Sequence, residues 1–126
     1  MDSGSIKNCN FADNAAEYGD AVYLNNASSL INCNFNNNSA SELGCTVYVY
    51  GECNLTDCNF TNNLASDDGG AIYTDSGFVT NCNFTNNSAS NGGAVYFYSN
   101  GEMTNCNFTS NNTTQNGGAT LRLKFK

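Results

Sequence analysis

The order apolar-x-x-Cys-x-Phe returns five times along the chain, at Ile6/Cys9/Phe11, Leu30/Cys33/Phe35, Leu55/Cys58/Phe60, Val79/Cys82/Phe84 and Met103/Cys106/Phe108. The cysteines step by 24, 25, 24 and 24 residues. Cys and Phe lie two positions apart, which places them on one face of a short strand, with residues such as Asn81 and Asn83 on the other. A second apolar run follows in each copy: Ala21-Val22-Tyr23, Thr46-Val47-Tyr48, Ala71-Ile72-Tyr73, Ala94-Val95-Tyr96 and the divergent Ala119-Thr120-Leu121. A polar loop and a Gly-containing turn separate the two runs. A period this constant means one unit stacked on copies of itself, because such a unit cannot bury its apolar face alone. The pattern predicts an all-β parallel β-helix, a single domain over residues 1–126, with about five coils of 24–25 residues. Each coil holds two or three short strands that pair with their copies about 4.8 Å away. The Asn-Gly pairs at Asn91-Gly92, Asn100-Gly101 and Asn116-Gly117 are hairpin signals. A hairpin meander, however, has no need for the same side chain every 24 or 25 residues.

Stacking turns each recurrent residue into a column. Phe11, Phe35, Phe60, Phe84 and Phe108 are expected to form an internal aromatic file. Each contributes roughly 1.5–3 kcal/mol by burial and about 0.5–1.5 kcal/mol more by ring contact. Asn14, Asn38, Asn63, Asn87 and Asn111 stand three residues after each Phe. They are expected at a bend, where a side-chain amide serves turn backbone groups and the amide of the next coil. Cys9, Cys33, Cys58, Cys82 and Cys106 read as buried thiols acting as small hydrophobes, since parallel Cβ vectors one coil apart suit a disulfide poorly. Cys45 and Cys53 bring the total to seven, and a link between them, or from one to Cys58, is open. The repeat cysteines lack C-x-x-C spacing and the chain has no His, which argues against zinc.

Composition narrows the function. Only 12% of residues are charged, against roughly a quarter in ordinary domains. There is no Pro, which suits dense backbone ladders, and the lack of His removes the commonest general base. Net charge is -7, and no Lys or Arg occurs between Lys7 and Arg122, so a nucleic-acid partner is excluded for want of a phosphate-neutralising surface. No apolar stretch is long enough to span a membrane, and no cofactor is implied. Met1 to Gly4 lacks the features of a signal peptide, and the chain reads as a piece of a longer protein.

Phe-x-x-Asn followed by Gly-Gly-Ala-Ile/Val occurs as Phe60 to Asn63 with Gly69-Gly70-Ala71-Ile72, and as Phe84 to Asn87 with Gly92-Gly93-Ala94-Val95. The fifth copy has Phe108 to Asn111 with Gly117-Gly118-Ala119. The first two copies degrade the second motif to Gly19-Asp20-Ala21-Val22 and Gly44-Cys45-Thr46-Val47. The pair of motifs resembles the polymorphic outer-membrane protein repeats. The Asn-Cys-Asn-Phe-Thr-Asn-Asn wording is similar to Asn-rich adhesin-like surface proteins of archaea. The resemblance covers essentially the whole chain. It implies a right-handed parallel β-helix at a cell surface or outside the cell, serving as a passenger or stalk, and no catalytic residue. The membrane barrel of whole family members has no counterpart here.

Two further columns carry candidate chemistry. Glu17, Glu42 and Asp67 fall eight or nine residues after their cysteines, in the same loop, with Asp20 and Asp68 nearby. Stacked carboxylates could serve calcium or a glycoside hydrolase, or simply form a solvated acidic face. Tyr23, Tyr48, Tyr73 and Tyr96 form the other column, and its direction is open. The alternation Leu121 to Lys126 puts Leu121, the Tyr equivalent, inside, whereas inward Val22, Val47, Ile72 and Val95 would turn the tyrosines into an outward strip for sugar or protein. The resulting expectation is a non-enzymatic, adhesin-like surface module acting as rigid stalk and binding face, its partner a glycan or protein of a host or cell surface. The alternatives are a carbohydrate-active β-helix and an element that self-associates by strand addition at its open ends.

Overall fold

The computed structural model describes residues 3–17, 21–41, 45–118 and, for the backbone, 120–122. The chain winds into a parallel β-solenoid with three sheets. The strands Asn10–Ala12, Asn34–Asn36, Asn59–Thr61, Asn83–Thr85 and Asn107–Thr109 lie side by side, with Phe11, Phe35, Phe60, Phe84 and Phe108 in direct register. The second sheet stacks Ala15–Ala16, Ser39–Ala40, Leu64–Ala65, Ser88–Asn91 and Asn112–Asn116. The third has eight strands, among them the long Val47–Thr56 and Ile72–Thr80. All strand pairs among the described residues are parallel, so the Asn-Gly pairs build no hairpins there.

The corners explain the Asn and Asp content. Asn8, Asn32, Asp57, Asn81 and Asn105 adopt φ of 54–57°, as do Asp13, Asn37, Asn62 and Asn86 at 55–57°. Asn and Asp tolerate this left-handed conformation better than other residues with a Cβ. The structure therefore corrects the strand reading of Asn81. It is a corner residue, and the strand begins at Asn83, just after the buried Cys82. Side-chain amides also run from coil to coil outside the core, as in Asn59 Nδ2 to Asn34 Oδ1 (2.9 Å) and Asn83 Nδ2 to Asn59 Oδ1 (2.8 Å).

Inside, neighbouring Phe rings stack at 4.7–5.1 Å between centroids and within 8° of parallel. Leu30, Leu55, Val79 and the cysteines pack against them. At the bend after each Phe the Asn column is buried at Asn38, Asn63 and Asn87. Asn63 Nδ2 donates to Phe35 O (3.1 Å) and to Asn87 Oδ1 (2.9 Å), and its backbone N–H donates to the same Oδ1 (3.1 Å). Its own Oδ1 accepts both equivalent donors of Asn38. Every polar atom of this buried amide is thus satisfied by the coils on either side, which removes the penalty for burying it.

Phe60→Ala is expected to cost about 3–5 kcal/mol in urea unfolding, because both ring faces are covered and the cavity opens mid-stack. Phe108→Ala, at a partly exposed rung with a single described ring neighbour, is expected to cost less. Equal costs at the two positions would contradict the stacked core.

Candidate binding face

The third sheet decides the direction of the tyrosines. Val22, Val47, Ile72 and Val95 are all buried and stand in register. Strand alternation then turns Tyr23, Tyr48, Tyr73 and Tyr96 outward. Their rings stack at 5.3, 4.9 and 5.1 Å, within 6° of parallel. Exposure is uneven: Tyr23 is 52% exposed and Tyr96 only 7%. Tyr48 and Tyr73 have both ring faces covered by neighbouring tyrosines, so they offer ring edges and phenolic hydroxyls to a ligand rather than a flat platform. Burial, and then the Asp75 carboxylate, push the Tyr48 hydroxyl above its ordinary titration range. Burial, and then Tyr48, do the same for Tyr73. Both phenols are therefore neutral hydrogen-bonding groups in neutral solution.

The same sheet presents features that repeat counting does not reveal. Tyr50, Asp75 and Tyr98 lie two residues beyond the tyrosine column in successive coils, and Tyr50 and Tyr98 are exposed. Asp75 Oδ2 accepts the Gly51 N–H at 3.1 Å. Phe78 is 50% exposed, although it occupies an apolar-rich strand. The residue type changes from coil to coil at these positions, as where Phe78 stands between Asn54 and Glu102, so no uniform column marks them.

Of the carboxylate group, Glu42 and Asp20 lie outside the described residues, as do Lys124 and Lys126 of the terminal alternation. Glu17 is exposed. Asp67 contributes its backbone carbonyl, which accepts from Ser90 N (2.7 Å) and Asn91 N (3.2 Å). Asp68 Oδ1 accepts Asn91 Nδ2 at 2.8 Å, and Asn91 Oδ1 in turn accepts Asn116 Nδ2 at 3.0 Å. Asp68 thus heads a short amide ladder. Among the described residues no three carboxylate, Cys or His side chains gather as a metal site would require.

All seven cysteines carry thiols, so Cys45 is linked to neither Cys53 nor Cys58. The repeat thiols donate to main-chain carbonyls, as Cys58 Sγ does to Thr56 O and Leu30 O. Burial pushes Cys53 up to about 12. The contact with Cys58, together with burial, keeps Cys82 protonated. Cys53 and Cys82 thus behave as core thiols, while the hydrogen bond with Cys82 lowers Cys58 against the opposing effect of burial.

Residues 57–75 and 81–98 match the family model of the Chlamydia polymorphic membrane protein repeat. Two stretches of this chain are therefore similar to that repeat. No curated protein and no solved structure matches the chain. Each matched segment holds one Phe-x-x-Asn motif and one Gly-Gly-Ala motif, and the structure gives each a physical role. Phe60 and Phe84 fill the aromatic file, while Asn63 and Asn87 form the buried amide ladder. Ala71 and Ala94 are fully buried beside the coil wall. A Cβ on Gly70 would overlap the carbonyl oxygen of Gly93 in the next coil, so the second glycine of the motif is set by close backbone approach. The polymorphic membrane protein repeat is a repeat of membrane and surface proteins. Among the described residues no helix is long and apolar enough to cross a membrane.

Burial, opposed by the Asn91 bond and reinforced by Asp67, raises the Asp68 carboxyl above its usual range. A raised acid costs stability while ionised, and that cost disappears as pH falls through the folded-state value. Asp68→Asn retains the acceptor for Asn91 and removes the charge. It is expected to raise stability at neutral pH by less than about 1 kcal/mol after solvent screening, and to lose this advantage on acidification. Thermal melts against pH check this. A variant less stable than wild type in added calcium would instead make Asp68 a cation ligand.

Proposed function

We propose that this chain is a non-enzymatic module of a surface protein, a stiff spacer that displays one sheet face to an external glycan or protein. The observation that carries the reading is the outward tyrosine ladder backed by a close-packed aliphatic column. Aromatic side chains with a polar tip are favoured at interfaces because they bury much area while losing few rotamers. Here each ring is held by its neighbours, so most of the ordering cost is met before any ligand arrives. The repeat of about 5 Å along the solenoid axis offers an extended ligand a row of equivalent hydroxyls and ring edges. A ligand lying along the axis engages several rungs at once, and individually weak contacts add. The membership of the matched repeat in membrane and surface proteins supports such a location. Sugar recognition through the middle of this strip would use hydroxyls and ring edges rather than ring faces.

Tyr48→Ala combined with Tyr73→Ala removes the middle of the strip without touching the core, and is expected to keep the solenoid's circular dichroism. On a glycan array and on intact cells, the double variant is expected to lose at least about tenfold in binding, roughly 1.4 kcal/mol. Undiminished binding would overturn the role of the strip. Release of new reducing ends from a polysaccharide, abolished by Asp67→Asn, would replace it with the carbohydrate-active reading.

A further inference from the structure

The sheet that carries the Phe file turns a second regular face outward, on a different sheet from the tyrosines. Three observations give that face a chemistry. First, it holds a continuous amide row. Asn34 Nδ2 donates to Asn10 Oδ1 (2.8 Å), and the bond recurs from Asn59 to Asn34 (2.9 Å), from Asn83 to Asn59 (2.8 Å) and from Asn107 to Asn83 (2.9 Å), always from the later coil to the earlier. Asn59 uses one N–H on Asn34 and accepts one from Asn83, so its exposed amide keeps a second donor and a second acceptor. The same holds for Asn83. Second, a parallel row runs two residues earlier, at the corners from Asn8 to Asn105, with bonds such as Asn105 Nδ2 to Asn81 Oδ1 (2.7 Å). Of the ten positions in the two rows, nine are Asn and one is Asp57, so the face is nearly neutral. Third, Thr61, Thr85 and Thr109 stand in register two residues beyond the first row, on the same side of the strand, and add a column of hydroxyls.

These amides contribute little to stability, because water competes for every bond of an exposed ladder. What they provide is order. Each side chain is fixed by its neighbours before a ligand arrives, so little rotamer freedom is left to lose. An amide with one free donor and one free acceptor matches a hydroxyl, which is donor and acceptor at once. It offers a carboxylate or phosphate no charge to pair with, and an apolar segment no surface to bury. The rows repeat once per coil, about 4.8 Å apart. An extended β-1,4-linked pyranose chain advances by nearly the same distance per sugar and presents hydroxyls on both edges of every sugar. An α-1,4-linked chain curls and loses that register. We propose that this face binds an extended, neutral β-1,4-linked polysaccharide lying along the solenoid axis, with Asn59 and Asn83 hydrogen-bonding hydroxyls of successive sugars. The inference goes beyond the tyrosine strip, since it concerns another sheet and names the ligand by its linkage. Single contacts are weak, and they add along the row.

The test is depletion of the whole chain from solution by microcrystalline cellulose and by chitin, both β-1,4-linked, and by granular starch, which is α-linked. Retention on at least one β-linked polymer is expected, at least about tenfold tighter than on starch. It is expected to change less than about twofold between low and high salt, since the face is nearly neutral. Asn59→Ala combined with Asn83→Ala is expected to lose about tenfold, with circular dichroism confirming the fold, while Tyr48→Ala combined with Tyr73→Ala stays within about twofold. The comparison of β- with α-linked polymer needs no variant and stands whether or not the double substitution folds. Retention on cellulose alone or on chitin alone supports the proposal and selects the polymer. Absence of retention on both, equal retention on starch, a steep fall with salt, or wild-type affinity in the asparagine double variant each overturns it. Loss of retention in the tyrosine double variant would move the polymer to the tyrosine strip and overturn this proposal alone. Undiminished glycan and cell binding in that variant, with the asparagine effect intact, would overturn only the tyrosine reading.

Discussion

The buried asparagine amide after each phenylalanine is the constraint on which the rest of the solenoid depends. Asn38, Asn63 and Asn87 have no access to water, so each donor and acceptor must find a partner within the protein. The partners lie in the coils before and after, at 2.9–3.1 Å. A slip of one residue between coils would leave several of these groups unpaired, at about 1–3 kcal/mol for each. Vertical registry is thereby enforced from the bends. Once it is enforced, every side chain at a constant distance from Asn falls into a file. The Phe rings, the thiols and the outward tyrosines are all consequences of that one alignment.

The same alignment shapes what the molecule can present. Nearly all repeated positions are consumed in holding the stack together. The phenylalanines and cysteines of the inner coils are buried, and the corner Asn and Asp residues satisfy left-handed turns. The tyrosines are the repeated side chains that face outward with both an apolar body and a polar tip. Mutual stacking makes them rigid and hides their faces, which favours an elongated ligand over a single ring. Beside them, Phe78 breaks the repeat between Asn54 and Glu102. Repetition supplies the scaffold and its periodic faces, and its departures supply distinct local chemistry, which fits a surface module whose fold tolerates variation between coils.

The fold was largely legible in the sequence because its determinants recur. Five copies of Phe and Asn at one spacing outweigh any local propensity, and parallel registry followed from them. Three things were not legible. The direction of the tyrosines depends on which of two adjacent columns, Val22 to Val95 or Tyr23 to Tyr96, fills the core, and both are equally regular. The corner role of Asn81 is hidden because an alternating pattern looks continuous across a left-handed residue. The continuity of Ile72–Thr80 past its irregularity between Thr74 and Ser76 joins two runs that a turn-based reading separates. The exposed amide row escaped for a different reason. Alternation places Asn83 outward, but only the strand pairing shows its amide bonded to those of the coils on either side.

The central claim is that buried amides between coils, and not the visible surface ladder, hold the stack in register. Asn63 and Asn59 test it side by side, since both donate amide hydrogen bonds to an Asn of a neighbouring coil but only Asn63 is buried. The decisive measurement is equilibrium urea unfolding of Asn63→Ala and Asn59→Ala. The account predicts a loss of about 3 kcal/mol or more for Asn63→Ala, which strips hydrogen bonds from Phe35 and Asn38 in one coil and from Asn87 in the other. For Asn59→Ala it predicts under about 1 kcal/mol. Equal losses, or a larger one at Asn59, would contradict it.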